Sequence, residues 1–279
     1  MKFGAHLSIA GGYEKALLRA SAIGANALQI FSGNPRSFAG PNVGEAAARA
    51  FAARAAALKI SPIYFHSPYL VNLASEEPTG DSSVTLLISE LSVAARAGVA
   101  GSIIHLGSYK KASGEEKERQ EKLLIKRIKT VLAATPAAAL FIIENAGTRK
   151  IGQTLDEIGR IMYEVNNKRV RVCLDTCHLH AAGYDLRGKE KLEAFLKEFD
   201  KKIGLERLEC FHGNDSRDPF GSLRDRHQNI GKGEVGNEVF RGLLNHPKTK
   251  HLPFIIETPG FDDNGPDKAN LDILKVMVQ

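Results

Sequence analysis

One unit repeats along the 279 residues of this chain. A short apolar or β-branched run is followed by a polar loop and then by a stretch with helical periodicity. Eight such runs stand at Phe3–Leu7, Ala27–Phe31, Ile63–His66, Ser102–Leu106, Leu140–Glu144, Val170–Asp175, Leu208–His212 and Pro253–Glu257. Helical segments separate them, among them Gly44–Lys59, Ser82–Ala97, Glu115–Ala133, Leu155–Asn166, Lys189–Lys202 and Glu238–Leu244. Strands alternating with helices pair in parallel through right-handed crossovers. Eight repeats favour closure over an open sheet, so the expected fold is α/β, a TIM (β/α)8 barrel. About 250 residues is typical for that fold. No Ser/Pro/Gly-rich linker or charge block divides the chain, so one domain over residues 1–279 is expected.

The strand ends are unusual. The third ends in His66, the fourth carries His105, and the fifth ends in Glu144. The sixth, seventh and eighth end in Asp175, His212 and Glu257. In a parallel barrel all C-terminal strand ends share one face, which is where barrel active sites lie. A single histidine at a strand end is ordinarily a satisfied polar residue; six metal-binding side chains converging on one face are not. Carboxylates and imidazoles so concentrated would repel or desolvate one another unless cations held them. Two loops add further groups. A helical turn through Asp175-Thr176-Cys177-His178 would put Asp175 and His178 on one side, and an extended Asp225-Arg226-His227 would offer both outer side chains to one ion. The nine candidates are His66, His105, Glu144, Asp175, His178, His212, Asp225, His227 and Glu257. That is too many for one tetrahedral zinc and suits three ions sharing bridging carboxylates. Imidazole and carboxylate accept Zn2+ and also Mn2+ or Fe2+.

Composition narrows the partners. The net charge is +6, which favours a polyanion without requiring one. The three cysteines, Cys173, Cys177 and Cys210, include no CxxC pair, which argues against a disulfide framework and fits a reducing compartment. No apolar run has the length of a membrane span and the first residues are polar, so a cytoplasmic, non-membrane protein is expected. Several other features read as structural. Gly231-x-Gly-x-x-Gly236 follows a loop, not a strand, and so is not a dinucleotide site. His180, His246, His251 and the Asp262-Asp263 pair read as ordinary, Cys177 as packing, and His6 as a neighbour of the ligands rather than one of them.

The residues resemble the endonuclease IV family of AP endonucleases along essentially the whole chain. The resemblance rests on Gly4-Ala5-His6-Leu7-Ser8 with Gly11-Gly12, on Gln29-Ile30-Phe31 followed by Asn34-Pro35-Arg36, and on His66-Ser67-Pro68-Tyr69-Leu70-Val71-Asn72-Leu73-Ala74. It continues in Cys173–His178, His212-Gly213-Asn214-Asp215-Ser216 and Asp225-Arg226-His227-Gln228-Asn229-Ile230-Gly231. It departs at Pro68, Leu106, Gly213 and the loop 145–150, none of which is a candidate ligand. The resemblance implies three zinc ions. One would be held by Glu144, Asp175, His212 and Glu257, a second by His66 and His105 with Glu144 bridging, and a third by His178, Asp225 and His227. It further implies cleavage of duplex DNA on the 5′ side of abasic sites, leaving a 3′-hydroxyl and a 5′-deoxyribose phosphate, and leaves open whether blocked 3′ ends are trimmed too.

Glu144 and Glu257 are the expected catalytic carboxylates. Zinc lowers the pKa of bound water to about 7, which makes hydroxide available at neutral pH. Arg36, Tyr69 and Leu70 match family residues that wedge into the duplex while the lesion is extruded. Arg226, with Arg149, Lys150, Arg217, Arg224 and Lys232, falls in loops expected on the same face, where basic side chains would contact phosphates. Double-stranded DNA carrying abasic sites is the expected partner, and a monomer the expected state. Two rivals compete with this reading. A metal-dependent sugar isomerase would use mostly carboxylate ligands, which the five histidines oppose; a non-catalytic DNA binder with a structural metal cluster would not need a bridging carboxylate.

Overall fold

A computed structural model describes residues 1–279. Eight parallel strands close into a barrel in the order β1-β10-β7-β6-β5-β4-β3-β2. They are β1 (Phe3–His6), β2 (Ala27–Phe31), β3 (Ile63–His66), β4 (Gly101–Ile104), β5 (Leu140–Glu144), β6 (Val170–Asp175), β7 (Leu208–His212) and β10 (Phe254–Ile256). The short strands β8 (Asp215–Ser216) and β9 (His227–Gln228) follow β7 in the chain and form an antiparallel ribbon. The eight barrel runs marked in the sequence are all present. The first, fourth and eighth are trimmed: β1 ends at His6, pairing of β4 with β5 stops at Ile104↔Ile143, and His105 and Glu257 each stand one residue past their strand.

Helices α1 (Tyr13–Ala22), α2 (Glu45–Ala57), α3 (Thr79–Ala97), α4 (Gly114–Ala133), α5 (Leu155–Val165), α6 (Thr176–Ala182), α7 (Lys189–Lys202), α8 (Asn237–Asn245) and α9 (Lys268–Val276) complete the chain. Six of them follow the periodicity read from sequence, and α1 and α9 add to that set. The signals are local. The Thr154 hydroxyl accepts the Glu157 N–H at 3.2 Å and so caps α5, which ends on Asn166 in the left-handed region. Asp175 caps α6 by accepting the His178 N–H at 2.9 Å, so the helical turn expected after the sixth strand is formed. No helix is long and apolar enough to cross a membrane.

The apolar residues divide into two groups. A cluster of 63 buried residues fills the space between the strands and the helices. A second cluster, Ala27, Tyr64, Ile103, Ile142, Cys173, Cys210 and Ile255, fills the inside of the barrel. Because side chains alternate along a strand, the residue two positions further on also points inward, one layer higher. Those residues are Gln29, His66, His105, Glu144, Asp175, His212 and Glu257, and His6 stands in the same relation to Gly4 on β1. The barrel thus stacks a ring of polar side chains on an apolar plug, at the C-terminal ends of its strands. Gly4 belongs to this packing, since a Cβ there would fall 2.5 Å from Ile255 Cδ1.

One buried carboxyl without a hydrogen-bond partner lies outside the barrel interior. Glu90, on α3, is fully buried, and neither carboxyl oxygen has a hydrogen-bond partner. Burial pushes its carboxyl up to about 7, against the opposing pull of the nearby Ser32, Ser102 and His66. A folded pKa above the unfolded value means that the native state binds the extra proton, so the contribution of Glu90 to stability falls as pH rises from about 4.5 to about 7 and is level above that. Urea unfolding at a series of pH values is expected to show a decline on the order of 3 kcal/mol across this window. Glu90→Gln is expected to flatten it, and an unchanged slope in the variant would count against the assignment.

Candidate metal centre

Nine side chains meet above the plug, in three groups whose ligand atoms lie within 4.8 Å of one another. They are His66, His105 and Glu144; His178, Asp225 and His227; and Glu144, Asp175, His212 and Glu257. These three coincide with the sets that the family resemblance implies; a fourth group at the same spacing brings the buried Cys177 thiol to Asp175 and His227. Glu144, fully buried, is shared. Its Oε2 lies 3.2 Å from His66 Nε2 and 3.3 Å from His105 Nε2, and its Oε1 lies 3.0 Å from His212 Nδ1 and 3.3 Å from His178 Nδ1. Asp225 Oδ1 is 3.0 Å from His178 Nε2 and 3.4 Å from His227 Nε2. Asp175 Oδ2 is 3.5 Å from His227 Nε2, and Glu257 Oε2 is 3.3 Å from His212 Nδ1.

The imidazoles are oriented from behind. His66 Nδ1–H donates to the Ser67 carbonyl at 2.7 Å, His178 Nδ1–H to that of Asn145 at 2.9 Å, and His227 Nδ1–H to that of Glu257 at 3.2 Å. His212 donates from Nε2 to Gln29 Oε1 at 2.7 Å. A carbonyl oxygen can only accept, so when each ring is neutral its other nitrogen carries the lone pair and faces carboxylates. The inward nitrogens of His178 and His227 are buried without a hydrogen-bond partner. Lone pairs and carboxylates aimed at common points form an arrangement that bound cations satisfy, and the donor set of imidazole nitrogens and carboxylate oxygens is that of zinc sites.

Without cations the cluster must hold protons instead. Burial alone would raise the Glu144 carboxyl, but His105, His212 and His178 keep it well below the carboxylate range. Burial would lower His212, yet Glu257, Glu144 and Asp175 push it up to about 10. His178 is likewise pushed well above its ordinary value, against burial, by Asp175, Asp225 and Glu144. His105 moves the other way, to about 4, because burial outweighs Glu144 there. Metal binding at these sites therefore displaces protons from His178 and His212.

Several residues that hold this centre were not singled out from sequence. Asn145 Oδ1 accepts the Asp175 N–H at 2.6 Å, and Asn214 bridges Asp175 Oδ2 at 2.7 Å and the Glu257 N–H at 2.7 Å. Asp215 accepts four backbone N–H groups, from Ser216, Gly231, Gly233 and Val235, all at 2.9 to 3.0 Å. The glycine pattern thus serves a turn wrapped round a carboxylate. A Cβ at Gly233 would fall 2.2 Å from the Ser216 carbonyl. Gln29 does most. Its Nε2 lies 2.6 Å from Glu257 Oε1 and 2.8 Å from His6 Nδ1, while its Oε1 takes the His212 proton. His6 Nδ1 also lies 2.9 Å from Glu257 Oε1, so His6 supports a candidate ligand as expected. The signal that could have found Gln29 is its place two residues after the inward Ala27.

The rim carries the expected DNA-facing residues. Tyr69 is 65% exposed, with its ring 5.6 Å from that of Phe31 and 5.7 Å from His66. Leu70 and Arg36 are exposed beside it in the chain's rim loops. Arg226 is already engaged: its Nε donates to Asp218 Oδ2 at 2.7 Å and its Nη2 to Asp218 Oδ1, which leaves Nη1 free. Arg224 approaches the same carboxylate at 3.5 Å. Cys177 is buried, and burial pushes its thiol up to about 12, in keeping with a packing role. His180 and His246 bond Asp218 and Glu193 and are ordinary.

Gln29→Leu removes the acceptor that fixes the His212 ring and the donor to Glu257 without touching either side chain. Metal affinity is expected to fall about ten- to a hundredfold, read by competition with a chromophoric chelator. In nitrogen NMR of the variant, the His212 ring should lose its single tautomer. Equal affinity in the two proteins would remove Gln29 from the centre.

Comparison with known proteins agrees with this geometry. The family model for the xylose isomerase-like TIM barrel matches residues 17–277. A protein of Chloroflexus aggregans named "Probable endonuclease 4" is 35% identical, the match covering 100% of this chain and 98% of that protein. Its namesake in Aquifex aeolicus is 38% identical over 99% and 98% of the two chains. The crystal structure of endonuclease IV from Thermus thermophilus superposes with a TM-score of 0.84 at 33% identity, covering 99% of this chain and 98% of that one. Full-length identity at this level, on the same closed barrel, shows that the chain belongs to the endonuclease IV family of AP endonucleases.

Proposed function

We propose that the chain is a DNA-repair endonuclease that hydrolyses the phosphodiester 5′ to an abasic site in double-stranded DNA, leaving a 3′-hydroxyl and a 5′-deoxyribose phosphate. The observation that carries the reading is the convergence of nine ligand atoms round the shared Glu144, on the barrel face rimmed by Arg36, Tyr69 and Leu70. The relatives named as endonucleases support it. Three zinc ions are the proposed complement, with His66, His105 and Glu144; Glu144, Asp175, His212 and Glu257; and His178, Asp225 and His227 as the residues that would hold them. Zinc bound there would supply Lewis-acid stabilisation of phosphoryl charge and a water of lowered pKa.

The side chains supply the rest. Glu257 is the candidate for orienting the attacking water. Its Oε1 is fixed by Gln29, its backbone N–H by Asn214, and its Oε2 faces the interior of the cluster. Glu144, fully buried, holds two ligand groups in one frame. His178 and Asp225, paired at 3.0 Å, are with His227 the candidates for assisting departure of the 3′-oxygen. Tyr69 and Leu70 offer exposed apolar surface that can enter a base stack beside the site, and unstacking costs least at a damaged nucleotide. Arg36, and Arg226 through its free Nη1, would meet phosphates. Action in the reducing cytoplasm accords with three free thiols.

The test pairs metal analysis with nicking of a duplex that carries one abasic analogue. About three metals per chain are expected. Chelation is expected to abolish nicking and to lower the melting temperature, because it leaves buried carboxylates uncompensated. Glu257→Gln and His178→Ala should each reduce nicking on the order of a thousandfold or more. Full activity in the chelated protein would falsify the reading.

A further inference from the structure

The mouth of the centre continues sideways into a trough formed by the loop after β4 and the loop after β5. Its first segment, a cavity of about 270 Å3, reaches His105 and is lined by Tyr69, Asn72, Lys110 and Lys150. The second, about 580 Å3, shares Lys110 and Lys150 and runs on past Tyr109 and Arg149 to Lys117.

The trough is built in advance. The Ile151 N–H donates to the Gly107 carbonyl at 3.0 Å, and Asn72 Nδ2 donates to the Ser108 carbonyl at 3.0 Å, so three loops are tied together. Gly107 has a φ of 99°, and a Cβ there would fall 2.4 Å from Asn72 Oδ1, so only glycine allows this closure.

Its charge is mainly positive. Lys110, Arg149 and Lys150 line it, are exposed and take part in no ion pair. The acids along the trough are already engaged: Asp156 with Lys202 at 2.7 Å, and Glu157 with the Gly152 N–H at 2.7 Å. Aromatic surface is present as well. Tyr109 is half-buried with Lys117 Nζ 5.4 Å from its ring centroid, and its buried hydroxyl has no hydrogen-bond partner.

A narrow path of unpaired cations beside aromatic rings is how proteins hold single strands without reading sequence. We propose that this trough carries single-stranded DNA leading away from the metal centre, so that DNA with a single-stranded tail or gap beside the cut binds more tightly than blunt duplex. The proposal rests on the nuclease reading for what lies at His105, but its test does not need cleavage.

Binding of a fluorescent oligothymidylate to the zinc-loaded protein is measured by anisotropy at several salt concentrations, for wild type and for Lys110→Ser/Arg149→Ser. The variant is expected to bind about tenfold more weakly, with a log–log salt slope shallower by about 1.4, the value for two lost phosphate contacts on a single strand. A tail on a duplex should raise wild-type affinity and leave the variant's unchanged. Lys117→Ser/Lys150→Ser is the second variant, and matching zinc content and thermal melting check that both are folded. Equal affinities and slopes in all three proteins, or a tail that adds nothing to wild type, would overturn the proposal. If abasic DNA is not nicked yet the tail effect is present and lost in the variants, the nuclease reading fails and the trough stands.

Discussion

Alternation of side chains along a strand, imposed on eight parallel strands that close on one another, governs everything else in this molecule. Each strand must send every second side chain into the barrel, where space is limited and water is absent. The lower inward layer is therefore apolar or small: Ala27, Tyr64, Ile103, Ile142, Cys173, Cys210 and Ile255. The next inward layer sits where the strands end and the barrel opens, and all its members are polar. A reactive centre arises there because eight backbones deliver side chains to one ring without loops having to search for each other. The two groups that loops and helices do add, His178 on α6 and the Asp225–His227 pair before and on β9, are pinned by Asp175 as helix cap and by the ribbon.

That ring is electrostatically demanding. Four carboxylates, those of Glu144, Asp175, Asp225 and Glu257, share a largely buried space with five imidazoles. Burial penalises each charge, and compensation has to come from protons or cations. The protonated state exists as a stopgap, with His178 and His212 raised far above their ordinary values. The hydrogen bonds behind the rings favour the other solution, since they place the single proton of each neutral imidazole on the outer nitrogen. Backbone carbonyls do this for His66, His178 and His227, and Gln29 does it for His212.

Much of this was legible in the sequence because it is periodic. Strand runs, crossover helices and the candidate ligands at strand ends follow from the repeat, and the flanking loops Cys173–His178 and Asp225–His227 carried recognisable chemistry. Gln29 was harder to see. An amide within a strand has no signature until the barrel's inside is known, and the inside is fixed only once all strands are registered. Asn145, Asn214 and Asp215 act on backbone groups far away in the chain, so no local pattern reveals them. Arg226 shows the limit for surface charge. Its partner, Asp218, lies in the same polar loop, and only the fold shows that Nε and Nη2 are already committed.

The plug beneath the ring has a consequence for traffic. Tyr64 and Ile142 are fully buried, and Tyr64 is latched by its hydroxyl to Glu209 at 2.9 Å, so the barrel has a floor and no back entrance. Whatever enters the ring, be it ion, water or phosphodiester, comes through the same doorway, and whatever leaves must wait for that doorway to clear. A bound strand would therefore act as a lock on the contents beneath it, coupling the residence time of the centre's occupants to that of the DNA through geometry alone.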